Sequence, residues 1–125
     1  LDTRACLLQP EAGNRMLDAV RTFMRASDRP VYGLRTHEGF WRFLMLRHSV
    51  DRDQWMVNLI TSDENPDILR PLAEKLMAGY PAIVSVVNNT SRRKAAIAVG
   101  EYEVPVAGQT KLIDRIGDFE FEISA

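Results

Sequence analysis

The chain has 125 residues, 46% of them apolar and 26% charged, with a formal charge of −1; this suits one folded domain and excludes a disordered or fibrous chain. Its longest apolar runs, such as residues 82–87, fall far short of the roughly 20 residues that cross a bilayer, and the opening Leu-Asp-Thr-Arg-Ala-Cys lacks the basic-then-apolar order of a signal peptide. A single cysteine excludes an internal disulfide and fits a reducing cytoplasm.

Positions 10–26 predict a helix. Pro10 and Glu11 suit its first turn, and Met16, Leu17, Val20, Phe23 and Met24 recur along one face. Residues 27–30 break the pattern. Three strand-like runs follow, at 31–36, 40–48 and 55–61, separated by a turn at Glu38-Gly39 and a polar turn at 49–53. Short connections of this kind predict antiparallel hairpins. Asn65-Pro66-Asp67 opens a second helix, with Ile68, Leu69, Leu72, Leu76 and Met77 as its apolar stripe and Gly79-Tyr80-Pro81 as its end. Pro71 removes a backbone donor inside that helix and points to a start nearer residue 70. Residues 82–88, 96–101, 109–116 and 119–123 read as strands, the last two joined by a tight turn at Ile116-Gly117-Asp118. The expected architecture is α+β: a mainly antiparallel sheet with two helices on one face, then a β-rich tail.

Few residues offer chemistry. His37 and His48 have no Cys, His or carboxylate partner at ligand spacing, so they read as surface or structural. The glycines form neither a P-loop nor a dinucleotide fingerprint. Cations are more informative. Residues 1–100 hold 14 Lys/Arg against 11 Asp/Glu, whereas 101–125 hold 2 against 6. Arg42 and Arg47 lie in an apolar strand, on opposite faces by their spacing. The segment Asn88-Asn89-Thr90-Ser91-Arg92-Arg93-Lys94 gathers three cations with amide and hydroxyl groups. Such groups contact phosphate and ribose, and Trp41 or Trp55 could offer stacking faces. A solvated loop is the plain alternative.

In their order, Ala5-Cys6-Leu7-Leu8-Gln9-Pro10, Gly39-Phe40-Trp41-Arg42-Phe43-Leu44-Met45-Leu46-Arg47, Trp55-Met56-Val57-Asn58-Leu59-Ile60-Thr61, Ile83-Val84-Ser85-Val86-Val87-Asn88-Asn89 and Ile116-Gly117-Asp118-Phe119-Glu120-Phe121-Glu122-Ile123-Ser124 resemble the middle of a known family. This is the S-adenosylmethionine-dependent RNA uracil-5-methyltransferases, especially the iron–sulfur type acting on 23S ribosomal RNA. The resemblance implies that residues 1–100 are a central α+β domain and that 101–125 lead into a methyltransferase domain beyond the chain. It implies a ribosomal RNA partner, or alternatively transfer RNA, with Arg42, Arg47, Asn88, Asn89, Arg92, Arg93 and Lys94 as candidate RNA contacts. Cys6 would be the last thiolate ligand of a 4Fe-4S cluster in a longer parent, and a free thiol without the other three. The implied reaction attacks uracil C6 with a cysteine thiolate and transfers the methyl group to C5, on a base turned out of its stack. No catalytic residue of that reaction is expected here. The leading leucine fits a fragment, and the parent is expected to be cytoplasmic. Two other readings remain open: a small-ligand-binding regulatory α+β domain, and a protein-interaction domain.

Overall fold

The computed structural model describes residues 5–125; residues 1–4, which open the sequence reading, lie outside the described residues. Helix α1 spans Glu11–Ala26, strand β1 Trp41–Ser49, β2 Gln54–Thr61, helix α2 Pro66–Gly79, β3 Ile83–Thr90, β4 Tyr102–Gly108, β5 Leu112–Ile116 and β6 Phe119–Ile123. The first four strands form one sheet in the order β1-β2-β3-β4, and β5-β6 is a separate hairpin. β1 with β2 and β3 with β4 are antiparallel, whereas β2 and β3 run parallel. A parallel pair needs a crossover, and α2 supplies it. The α+β expectation therefore holds, with one βαβ unit inside a mostly antiparallel sheet.

Helix α1 buries Met16 and Val20, and carries Glu11 in its first turn and Arg25 in its last, a charge order that complements its dipole. It stops at Ser27, whose hydroxyl donates to Met24 O at 2.7 Å and accepts from Trp41 Nε1 at 3.0 Å. Both helices cover one face of the sheet. Met16 and Val20 from α1 and Leu69, Leu72, Ala73 and Leu76 from α2 pack with Trp41, Trp55, Val57, Leu59 and Val86. On the other face, Leu112 of the hairpin closes over Met56 and Val87. Asp114 fastens that hairpin to the β1–β2 turn by accepting from Ser49 Oγ at 3.0 Å and Asp51 N at 3.1 Å.

Four local expectations change. Residues 31–36 are not a strand: Val31 makes one bridge to Trp41, and the segment turns back on itself through a Gly33 N–H to Glu38 O bond. Gly39 ends this loop with φ +125°, and a Cβ there would lie 2.5 Å from Val31 O, so only glycine fits. Helix α2 begins at Pro66 and carries Pro71 inside it, because burial of its apolar stripe outweighs the one missing donor. Residues 96–101 form no strand. The strand lies instead at Tyr102–Gly108 and contains Pro105. β4 is an edge strand, and proline is tolerated there because one side of the strand needs no donor.

Candidate nucleic-acid interface

The parallel strands β2 and β3 end side by side, and α2 starts where β2 ends. Carboxyl ends of parallel strands beside a crossover helix are a usual place for a ligand crevice. Here the chain turns at Ser62–Asn65 after β2 and passes into the loop 91–101 after β3. Register stacks these ends in rows: Leu59, Asn88 and Val104 in one, Ile60, Asn89 and Glu103 in the next, and Thr61, Thr90 and Tyr102 in the last. The rows alternate between the helix-covered face and its opposite. A cleft of about 230 Å3 opens on the helix side, lined by Asn65, Pro66, Arg70, Asn88, Val104 and Val106 among others.

Asn88 is 1% exposed. Its amide donates to Leu59 O and to Thr61 Oγ, both at 2.9 Å, so its donors are used inside the sheet. Asn89 faces the opposite side and donates to Asn58 Oδ1 at 3.1 Å. The loop returns close over it: a Cβ on Gly100 would meet the Asn89 side chain at 2.4 Å. Arg47 lies on this same side, lining a depression with Met45, Asn58 and Asn89, and its Nε is buried without a hydrogen-bond partner. The structure thus brings Arg47 and Asn89 together and separates both from Asn88.

Arg42 occupies a bulge, where the β1 register shifts between Trp41 and Phe43. Arg42 shares a cleft with Leu17, Val20 and Leu44 on the helix-covered side, whereas Arg47 lines the depression on the other, so the two stand on opposite sides of the sheet. The Arg42 guanidinium donates to Ser91 O at 2.7 Å and Ala95 O at 3.0 Å, and stacks 4.0 Å over the Tyr32 ring. Arg42 therefore grips the basic loop from beneath. The loop's own cations are at the surface. Arg92 reaches Asp63 at 3.0 Å with 79% of its side chain exposed, and Arg93 reaches Glu101 at 3.5 Å with 55% exposed. Lys94 is exposed. These pairs fix the loop's shape at small energetic gain, since exposed ion pairs contribute only about 0–1 kcal/mol. They also lower the two acids: the Arg92 side chain and then the Glu64 N–H hold Asp63 below its usual range, and the Arg92 N–H and then Arg93 do so for Glu101.

Trp41 and Trp55 are 2% and 3% exposed, so neither offers a stacking face. Tyr102, exposed at 72%, does. Sequence reasoning missed it because the strand that carries it was placed elsewhere. His48 stacks on Trp55 and meets Asp53 at 2.9 Å, and His37 sits in a left-handed turn with φ 58°, so both serve the fold. Among the described residues, no group of three His, Cys, Asp or Glu side chains gathers as metal ligands. Cys6 is a half-buried free thiol. Asn14 holds it in place, accepting from Cys6 N at 2.9 Å and donating to Cys6 O at 3.2 Å. One cysteine does not make a four-iron site, which needs four ligands. Among the described residues no helix is long and apolar enough to cross a membrane.

No protein-family model matches the chain. An uncharacterized RNA methyltransferase of Chlorobaculum tepidum is 37% identical over all of this chain, which covers 26% of that protein. A second, from Clostridium tetani, is 26% identical over 99% of the chain and 27% of its own length. Among solved structures, the Pyrococcus abyssi tRNA (uracil-54, C5)-methyltransferase in complex with S-adenosyl-L-homocysteine matches 99% of this chain and 29% of its own, with a TM-score of 0.76 and 21% identity. That likeness shows a shared fold. The chain spans about a quarter of the length of the curated relatives it matches, and is homologous to that part of these RNA methyltransferases.

Proposed function

We propose that this chain is the central α+β region of an S-adenosylmethionine-dependent RNA uracil-5-methyltransferase, residues 1–100 forming that domain and 101–125 leading into the methyltransferase domain of a longer parent. The observation that carries the reading is the alignment of the entire chain at 37% identity to an RNA methyltransferase. The match in fold to an enzyme described as a tRNA (uracil-54, C5)-methyltransferase supports it. In this reading the chain holds RNA, and the reacting groups belong to the parent beyond it. The substrate is 23S ribosomal RNA, with transfer RNA as the alternative, and the parent works in the cytoplasm.

The exposure of Arg92, Arg93 and Lys94 supports direct contact with RNA. The internal bonds of Arg42, Asn88 and Asn89 support a holding role under that surface. Arg47, on the far face, would serve a second contact. Cys6 is proposed as one thiolate of a 4Fe-4S cluster in the parent, three others coming from outside this chain; the grip of Asn14 on both its backbone groups supports a fixed position for it.

The parent enzyme, given methyl-labelled S-adenosylmethionine with 23S ribosomal RNA and with transfer RNA, tests the reading. Mass spectrometry is expected to find 5-methyluridine in the ribosomal RNA. Its appearance only in transfer RNA would move the substrate, and methylation of another base or atom would overturn the assignment. Iron content that stays unchanged in Cys6→Ser would remove the cluster role.

A further inference from the structure

We propose that Tyr102 is a stacking platform for an unpaired nucleotide whose phosphates pass along the loop of Arg92, Arg93 and Lys94; the inference rests on the RNA-binding reading above. Tyr102 begins β4 and pairs in register with Thr90, the residue before the loop leaves β3. Its ring therefore stands at the root of the basic loop. At 72% exposure it presents most of its surface to solvent. Val104 follows two residues on, on the same face, and lines the cleft beside Arg70 and Asn88. Ile97 and Val99, exposed at 47% and 55%, add apolar surface within the loop.

Charge decides which kind of RNA fits. Asp63 and Glu101 pair with the loop arginines, and Glu103 lines a depression with Glu101 on the opposite face of the sheet. Cations and carboxylates are mixed here, so the surface is not the strongly positive track that a duplex held by its backbone requires. A single strand needs fewer cations when an aromatic ring takes a base, because stacking supplies the rest of the affinity. Unpaired RNA is therefore the ligand class. The exposed ion pairs are weak enough to exchange a carboxylate for a phosphate.

The test titrates the 125-residue chain into a short fluorescein-labelled oligouridylate at low and at physiological salt, reading anisotropy. Tyr102→Ala is expected to weaken binding roughly 5- to 150-fold, the span for one stacked base, and to leave the salt slope unchanged. Tyr102→Phe keeps the ring and should stay within about twofold. Arg92→Ala with Arg93→Ala should flatten the slope, by about 0.7 per lost phosphate contact. If Tyr102→Ala binds like wild type while the arginine pair flattens the slope, Tyr102 is no platform and the RNA reading stands. Failure of the wild-type chain to bind the oligonucleotide at low salt would overturn both. A self-association seen by sedimentation and abolished by Tyr102→Ala, with RNA affinity unmoved, would assign the ring to a protein contact instead. Unchanged melting temperatures in each variant exclude unfolding as the cause.

Discussion

Replacing Asn88 with alanine removes an amide that ties the two central strands together and tests whether this residue serves the fold or a ligand. Its Nδ2 donates to Leu59 O and Thr61 Oγ, each at 2.9 Å, from a side chain 1% exposed. A typical intramolecular hydrogen bond contributes about 1 kcal/mol net, and a buried acceptor left without a donor costs about 1–3 kcal/mol. Thr61 Oγ keeps its own bond to Asp63 O, so the larger loss falls at the Leu59 carbonyl. The expected cost is about 2–3 kcal/mol, a fall in melting temperature of roughly 6–12 °C for a chain of this size. Asn88→Asp should cost more, because a buried carboxylate offers no proton to either oxygen. Calorimetry of Asn88→Ala, Thr61→Val and the double variant measures this. Since the two side chains share a bond, the double variant should lose less than the two single losses combined, by about 0.5–1 kcal/mol. A change in melting temperature below about 2 °C for Asn88→Ala would refute the reasoning and return its amide to the groups free to meet RNA.

Two further outcomes follow from the loop and the hairpin. Arg42→Lys keeps the charge but loses the planar fork that reaches Ser91 O and Ala95 O together; amide exchange across residues 91–100 should speed up about tenfold, a loss of about 1.4 kcal/mol, and unchanged exchange would show that the grip does not hold the loop. Asp114 is held below the usual carboxylate range, chiefly by the Asp51 N–H and also by the Arg115 N–H and the Ser49 hydroxyl. Its folded pKa lies below the unfolded value of about 3.9, so its stabilisation is present above that value and is lost as pH falls through the folded one. The melting temperature of wild type should therefore exceed that of Asp114→Asn at pH 7, and the gap should close below about pH 4; a gap independent of pH would exclude the carboxylate as the fastener.

Much of the fold was legible from local pattern. The stripe of Met16 and Val20 on α1, the stripe of Leu69, Leu72 and Leu76 on α2, and the turn at Gly117 each carry their signal within a few residues, because helical periodicity and left-handed turns are local properties. The α+β class and the paired strands β1 and β2 followed from the same signals. What was misread depended on neighbours. The strand expected at 96–101 lies at 102–108, because its place is set by pairing with β3 at the sheet edge, where Pro105 is tolerated. Pro71 argues against a helix interior only until the buried stripe around it is known to pack.

The candidate site divides in the same way. The sequence by itself determined that three cations follow two asparagines, and its family resemblance determined the expectation of an RNA methyltransferase region. Only tertiary structure decided what each group can touch. Asn88 and Asn89 are adjacent in sequence, yet strand alternation sends one to Leu59 and Thr61 and the other to Asn58. Arg42 and the loop carbonyls it grips at Ser91 and Ala95 are distant in sequence, and meet because β2 lies between β1 and β3. The tryptophans are apolar enough to be drawn into the core, which leaves Tyr102 on the surface as the ring beside the basic loop. Composition and spacing specify what a segment can form alone; burial, register and partnership arise between segments, and the folded chain is what sets them.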